Sequence, residues 1–254
     1  MTMKKTVLCA LVGMVTIMGS LSQSDTHKPP PRPVVIALYT EDPIVVDGKL
    51  DEQVWQNAPA YPLYLSADKD PEGLNPVQEN GEARLAWDDD HLYIAMDFVD
   101  TDVVAEGKHD NEMHINLGDV GEVFIKPDTN TVYWELYVTP RGKKSTFFLP
   151  SWARFLPSCF DYEMEMTVAA SVQGTLNDWT DRDQGWTAEM AIPRTELERY
   201  GDTFPDSGWT ILVSRYNYGR YLNQQGPELT MMPRLPKTNF HYIPGYAQID
   251  FQRP

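Results

Sequence analysis

The side chains best placed to do chemistry in this chain are carboxylates, amides and aromatics that recur two residues apart. Glu135, Tyr137 and Thr139 alternate along Thr131-Val132-Tyr133-Trp134-Glu135-Leu136-Tyr137-Val138-Thr139. On a strand they share one face, and Trp134 points to the other. Glu122 stands opposite Val123 and Ile125 in the same way. Arg215 and Asn217 follow Ile211-Leu212-Val213 at alternate positions and also share a face. Carboxylates, planar amides and guanidinium groups bond paired hydroxyls, and flat aromatic rings stack on apolar ring faces. Trp152 is the leading candidate for such a platform. It lies on a long proline-containing loop with no strand face to bury it, and covering one end of the fold is its alternative role. Phe155, Trp179, Tyr216, Tyr218 and Tyr221 are further candidates.

Other chemistries find less support. Glycosidic hydrolysis needs two carboxyl groups roughly 5–9 Å apart across a cleft, which Glu122 and Glu135 on paired strands can supply. The chain has no nucleophile elbow and no phosphate-binding loop. His109, Asp110, Glu112 and His114 form a polar cluster without the tight spacing of a zinc helix. Met113, His114, Met231 and Met232 offer axial ligands for a haem, although packing is the commoner use of methionine.

These groups need strands to position them, and strand signals dominate. Val34–Tyr39 is β-branched and aromatic. Residues 82–87 and 91–98 alternate on either side of Asp88-Asp89-Asp90, which reads as a hairpin turn. Residues 122–126 and 131–139 flank Pro127-Asp128-Thr129-Asn130, a turn sequence. Residues 164–170, 186–192, 208–217 and 247–251 complete the set, and Arg194–Tyr200 is the one short helix expected. Many short strands at this spacing indicate an all-β, two-sheet antiparallel β-sandwich. Residues 145–160 and 219–244 read as long loops, a common place for function. Trp55, Trp87, Trp134, Trp186 and Trp209 have alternating apolar neighbours and are expected in the core.

Five phrases occur in order: Val46-Asp47-Gly48-Lys49-Leu50-Asp51-Glu52 with Trp55, Ala86-Trp87-Asp88-Asp89-Asp90-His91-Leu92-Tyr93, Asp119-Val120-Gly121-Glu122-Val123-Phe124, Gly185-Trp186-Thr187-Ala188-Glu189 and Asn239-Phe240-His241 through Phe251. Together they resemble the family 9 carbohydrate-binding modules and their DOMON-like relatives, over about residues 37–254. The resemblance implies a β-sandwich that binds carbohydrate without catalysis, on a concave sheet face. It places Glu122 on the family's binding glutamate and Glu135, Tyr137 and Thr139 on a strand that presents polar ligand contacts. Arg215 falls on a common arginine, open to a ligand clamp or to a structural ion pair with Glu122 or Glu135. His241 falls on a frequent histidine. The resemblance also implies a structural calcium ion. The chain departs from the pattern where two tryptophans sandwich a terminal sugar, with Asn116 and Met231-Met232 standing near those positions. A family member that kept the fold and lost the ligand is therefore an open alternative, beside a glycoside hydrolase or lyase and a haem-binding relative.

The chain has 254 residues and a formal charge of −16. That charge repels nucleic acid and anionic membranes. Lys4-Lys5 followed by the apolar run 6–21 reads as a secretory signal peptide over 1–24, shorter than the roughly 20 apolar residues of a membrane span. The expected location is therefore secreted or periplasmic, without stable insertion in a membrane. Residues 25–36 read as a proline-rich linker. Beyond the leader, Cys159 is the single cysteine, expected to be a buried thiol.

Overall fold

The alternating segments pair much as their periodicity predicts. The protein is described by a computed structural model over residues 31–152 and 154–253. The expected signal peptide and the first half of the expected linker lie outside the described residues. Among the described residues there are twelve strands: β1 Val34–Tyr39, β2 Tyr61–Pro62, β3 Gly81–Trp87, β4 His91–Val99, β5 Val120–Pro127, β6 Tyr133–Val138, β7 Lys144–Leu149, β8 Thr167–Gln173, β9 Gly185–Pro193, β10 Trp209–Asn217, β11 Glu228–Met232 and β12 Ala247–Gln252. Short helices are α1 Gln53–Asn57, α2 Pro157–Phe160 and α3 Arg194–Leu197, the last continued by a 3-10 turn at Glu198–Tyr200. Val34, Val35 and Ile36, at the end of the expected linker, lie in β1.

The strands form one hydrogen-bonded path in the order β7-β6-β5-β10-β12-β1-β3-β4-β9-β8, with β2 added to β3 and β11 to β10. The fold is mostly β, as expected, but the pairing is continuous where two separate sheets were expected. The reason is β1, which runs parallel to both β12 and β3 and so joins the two halves. The other pairings are antiparallel. The path bends until its halves share one core. Val123, Ile125, Ile211 and Val213 from one half pack in the same cluster as Leu85, Ile94, Met96 and Met190 from the other. Trp87, Trp134, Trp186 and Trp209 are buried there. Trp55 is buried in a separate cluster with Val54, Tyr93 and Ala191.

The opening phrase acts as a clasp. Gly48 has φ +83°, a region that favours glycine, and a Cβ there would lie 2.5 Å from the Ala170 carbonyl carbon. The Asp47 and Gly48 N–H groups donate to Glu189 Oε2 at 3.0 and 2.8 Å, and Trp55 Nε1 donates to Glu189 Oε1 at 2.9 Å. One buried carboxylate on β9 thus fixes the turn and the indole together. Cys159 is a buried free thiol.

Two expected loops hold strands. β7 occupies 144–149 because Phe147 and Leu149 pack against the outer face of β6, and β11 occupies 228–232 beside β10. No helix among the described residues is long and apolar enough to cross a membrane.

Candidate functional site

Alternation on β5 sends Val123 and Ile125 into the shared core and turns Glu122 and Phe124 to the opposite face. Antiparallel register then sets Glu122 against Tyr137, Phe124 against Glu135 and Ser214 against Glu122. Glu122, Glu135 and Tyr137 therefore meet, as the sequence spacing requires. They do not lie on an open surface. Leu235, Phe240, Ile243 and Tyr246 pack over this face with Val120, Phe124, Tyr133 and Tyr137. Glu122 is 2 % exposed and Tyr137 1 %.

What is left is a pocket of about 250 Å³. Glu122, Glu135, Phe124, Tyr137 and Tyr216 form its floor and walls, and Asn239, Phe240 and His241 close it from the returning chain. Leu229, Thr238 and Asn239 also line a wider neighbouring groove of about 870 Å³ with Asn75, Gln224 and Gln225. The pocket is thus small and aromatic, and amide side chains line the groove beside it.

Inside the pocket Ser214 Oγ donates to Glu122 Oε2 at 2.6 Å, and the Tyr137 hydroxyl donates to Glu135 Oε1. Glu122 and Glu135 hydrogen-bond each other. Burial, reinforced by the neighbouring Glu135 charge, holds the Glu122 carboxyl well above the usual range. Burial raises Glu135 as well, against the hydrogen bond from Tyr137. His241 Nδ1 is 3.1 Å from the Tyr133 hydroxyl, and its Nε2 is 3.7 Å from Glu135 Oε2. Burial lowers its imidazole to about 4, so it is neutral near pH 7. Phe124 and Phe155 present their rings edge-on to it at 5.1 and 4.8 Å between centroids.

Four of the sequence candidates stand elsewhere. Thr139 lies past the end of β6, and its Oγ1 accepts the Lys143 N–H in a turn, so it is not a pocket residue. Arg215 and Asn217 belong to the face opposite Glu122, because Ser214 is the β10 residue that meets Glu122. Arg215 makes a buried ion pair, with Asp100 at 2.9 Å rather than with Glu122 or Glu135, and its guanidinium lies over the Phe98 ring. Asn217 Nδ2 donates to Glu79 Oε2 at 2.7 Å. Both are framework residues. Trp152 is 58 % exposed and does not line the pocket, and Phe155 is the aromatic of that loop that reaches His241.

Sequence reasoning missed Phe124, Ser214, Asn239 and Phe240 as site residues. Phe124 and Ser214 were legible from strand register, since they flank or oppose Glu122. Asn239 and Phe240 arrive through the returning loop, which no periodicity marks.

Among the described residues no group of three or more His, Cys, Asp or Glu is gathered to hold a metal ion. The buried acids Asp100, Asp102 and Asp119 already have donors. Asp100 takes Arg215, Asp119 takes the Val104 and Tyr218 N–H groups, and Asp102 takes the Arg220 N–H. These contacts give the expected calcium ion no ligand set there. Met231 and Met232 lie in separate apolar clusters on opposite faces of β11, which suits packing rather than a shared haem.

Comparison with known proteins places this geometry. A family described as "Carbohydrate family 9 binding domain-like" matches residues 46–204, ending before β10 supplies the rest of the pocket. Among solved structures, a candidate carbohydrate-binding protein from Bacteroides uniformis is similar at 15% identity and TM-score 0.65, covering 87% of this chain and 99% of that one. A family 9 carbohydrate-binding module from Caldicellulosiruptor kristjanssonii, solved with cellotriose, is similar at 13% identity and TM-score 0.57, covering 87% and 94%. The same organism's module solved with glucose gives 13% identity and TM-score 0.56, covering 87% and 96%. No curated protein matches the chain. Identities this low speak for the fold alone, whereas the family match spans more than half of the sequence. The chain belongs to the carbohydrate family 9 binding domain-like family.

Proposed function

We propose that this protein is an exported, non-catalytic carbohydrate-binding protein that holds one sugar unit in the pocket at Glu122, Glu135 and Tyr137. The observation that carries this reading is the pocket itself. Polar groups that bond hydroxyls sit among Phe124, Tyr216 and Phe240 on the sheet face where the family resemblance puts ligand contacts. At about 250 Å³ it is smaller than the roughly 300–1,000 Å³ of drug-sized sites, which suits a single ring. The amide-lined groove beside it gives a bound chain somewhere to continue.

A non-catalytic role is supported by the carboxyl geometry. Glu122 and Glu135 hydrogen-bond each other, whereas glycosidases hold their two carboxyl groups roughly 5–9 Å apart with the scissile bond between them. Export is suggested by Lys4-Lys5 and the apolar run 6–21 that follows, the pattern of a secretory leader.

The test is a glycan array probed with the protein, its Glu122→Ala variant and its Tyr137→Ala variant. Binding by the parent that both variants lose is the expected result. Binding that both retain would place the ligand elsewhere. The roof over the site favours one rival, a domain that kept the fold and lost its ligand. Silence of the parent on the whole array would establish that rival.

A further inference from the structure

Buried acids in this protein are ordinarily given a cation or a backbone donor. Asp100 has Arg215, Asp70 has Arg234 and Asp102 has Arg220. Asp183, Glu228 and Glu189 accept backbone N–H groups. Glu122 and Glu135 receive neither among the described residues. Their donors are the hydroxyls of Ser214 and Tyr137, and each other. His241 Nε2 stands 3.7 Å from Glu135 Oε2, beyond hydrogen-bond reach. No lysine or arginine lines the pocket. The aromatic rings of Phe124, Tyr137, Tyr216 and Phe240 do, and ring faces attract cations.

We propose that the pocket selects a sugar carrying a free primary ammonium, a deacetylated hexosamine unit, with the ammonium seated against Glu135 and Glu122. The proposal rests on the carbohydrate reading above and names the substrate class of that same site. Two acids without a counter-ion retain a proton instead. An entering ammonium supplies the missing positive charge, and the shared proton leaves to solvent as it binds. Tyr133, Tyr137, Tyr216, Tyr246 and His241 are the other titratable groups around the pair. Burial holds Tyr137, Tyr216 and Tyr246 above their ordinary value and lowers His241 to about 4, so none of these four supplies a competing charge near pH 7. An N-acetyl group would remove the cation and add bulk that a pocket of about 250 Å³ has little room for.

Isothermal titration of the protein with glucosamine, glucose, N-acetylglucosamine and 1,4-diaminobutane tests this, run at pH 7 in two buffers of different ionisation enthalpy. Glucosamine should bind at least about tenfold tighter than glucose, the lower range for a close, desolvated charge pair. It should release close to one proton, read from the buffer dependence of the heat. Glucose should release none. In Glu135→Gln the glucosamine advantage over glucose should vanish. The proton count needs only the parent protein, so it decides the matter even where that variant folds poorly. Equal affinity for glucosamine and glucose, or glucosamine binding without proton release, would overturn the amino-sugar assignment and leave the carbohydrate reading standing. Diaminobutane binding as tightly as glucosamine would overturn the assignment too, since the sugar ring would then contribute nothing. No binding of any sugar would overturn both.

Discussion

Glu189 shows how one buried carboxyl can set both structure and pH response. Its oxygens accept two backbone N–H groups and the Trp55 indole, yet burial outweighs them and pushes its carboxyl up to about 7. The folded state therefore binds the proton more tightly than the unfolded chain, whose glutamates titrate near about 4.3. Its contribution to stability is fully present below that value and is lost as pH rises toward 7. Glu189→Gln should flatten the fall in melting temperature over this window and, by setting an amide NH2 against N–H donors, cost about 1–3 kcal/mol. Parallel melting curves for parent and variant from pH 4.5 to 7 would contradict this. His241 carries the opposite sign. Its lowered imidazole favours folding as pH rises from about 4 to the ordinary histidine value. An NMR titration should place its midpoint near 4, and a midpoint near 6.5 would show that the pocket is wetter than its packing implies. At this scale the sequence was half legible. The positions of Glu122, Glu135 and Tyr137 follow from period two alone. The pairing of Arg215 with Asp100 does not, because the two are brought together by strands far apart in the chain.

Most strands were legible, since alternation is a local property, whereas β7 and β11 lie in segments that read as loops. The returning segment 233–246 was not legible either, because it is built to cover one particular face and shows no period of its own. That segment decides whether the site is a surface or a pocket. Phe240 and Tyr246 anchor it, with Tyr246 donating its hydroxyl to the Phe240 carbonyl at 2.7 Å. Phe240→Ala should cost about 3–5 kcal/mol, the usual range for a buried phenylalanine, and should weaken ligand binding with it. A chemical-denaturation midpoint within error of the parent would mean the roof is not held by packing. Gly48→Ala tests the clasp at the same scale. Positive φ and contact with the Ala170 backbone should destabilise by about 1–3 kcal/mol. Trp152→Ala is the contrast, an exposed loop position outside the pocket, where the stability change should stay within about 0.5 kcal/mol.

Across the whole molecule, a single bent path of strands encloses one core and leaves one outer face to be roofed by the chain itself. The all-β class was legible from composition and spacing. The continuity of the sheet was not, because it depends on β1 pairing in parallel with both β12 and β3. The charge of −16 also acts at this scale. Like charges repel in the compact state, so added salt should raise the melting temperature, and a melting temperature that falls from 0.02 to 0.3 M salt would contradict that expectation. The central claim is that a sugar occupies the pocket under the roof. A crystal structure of the protein soaked with the tightest sugar from the array tests it most directly. The account predicts one sugar ring in contact with Glu135, Tyr216 and His241. A ring bound instead on exposed Trp152 or Trp179, with the pocket unchanged, would contradict it.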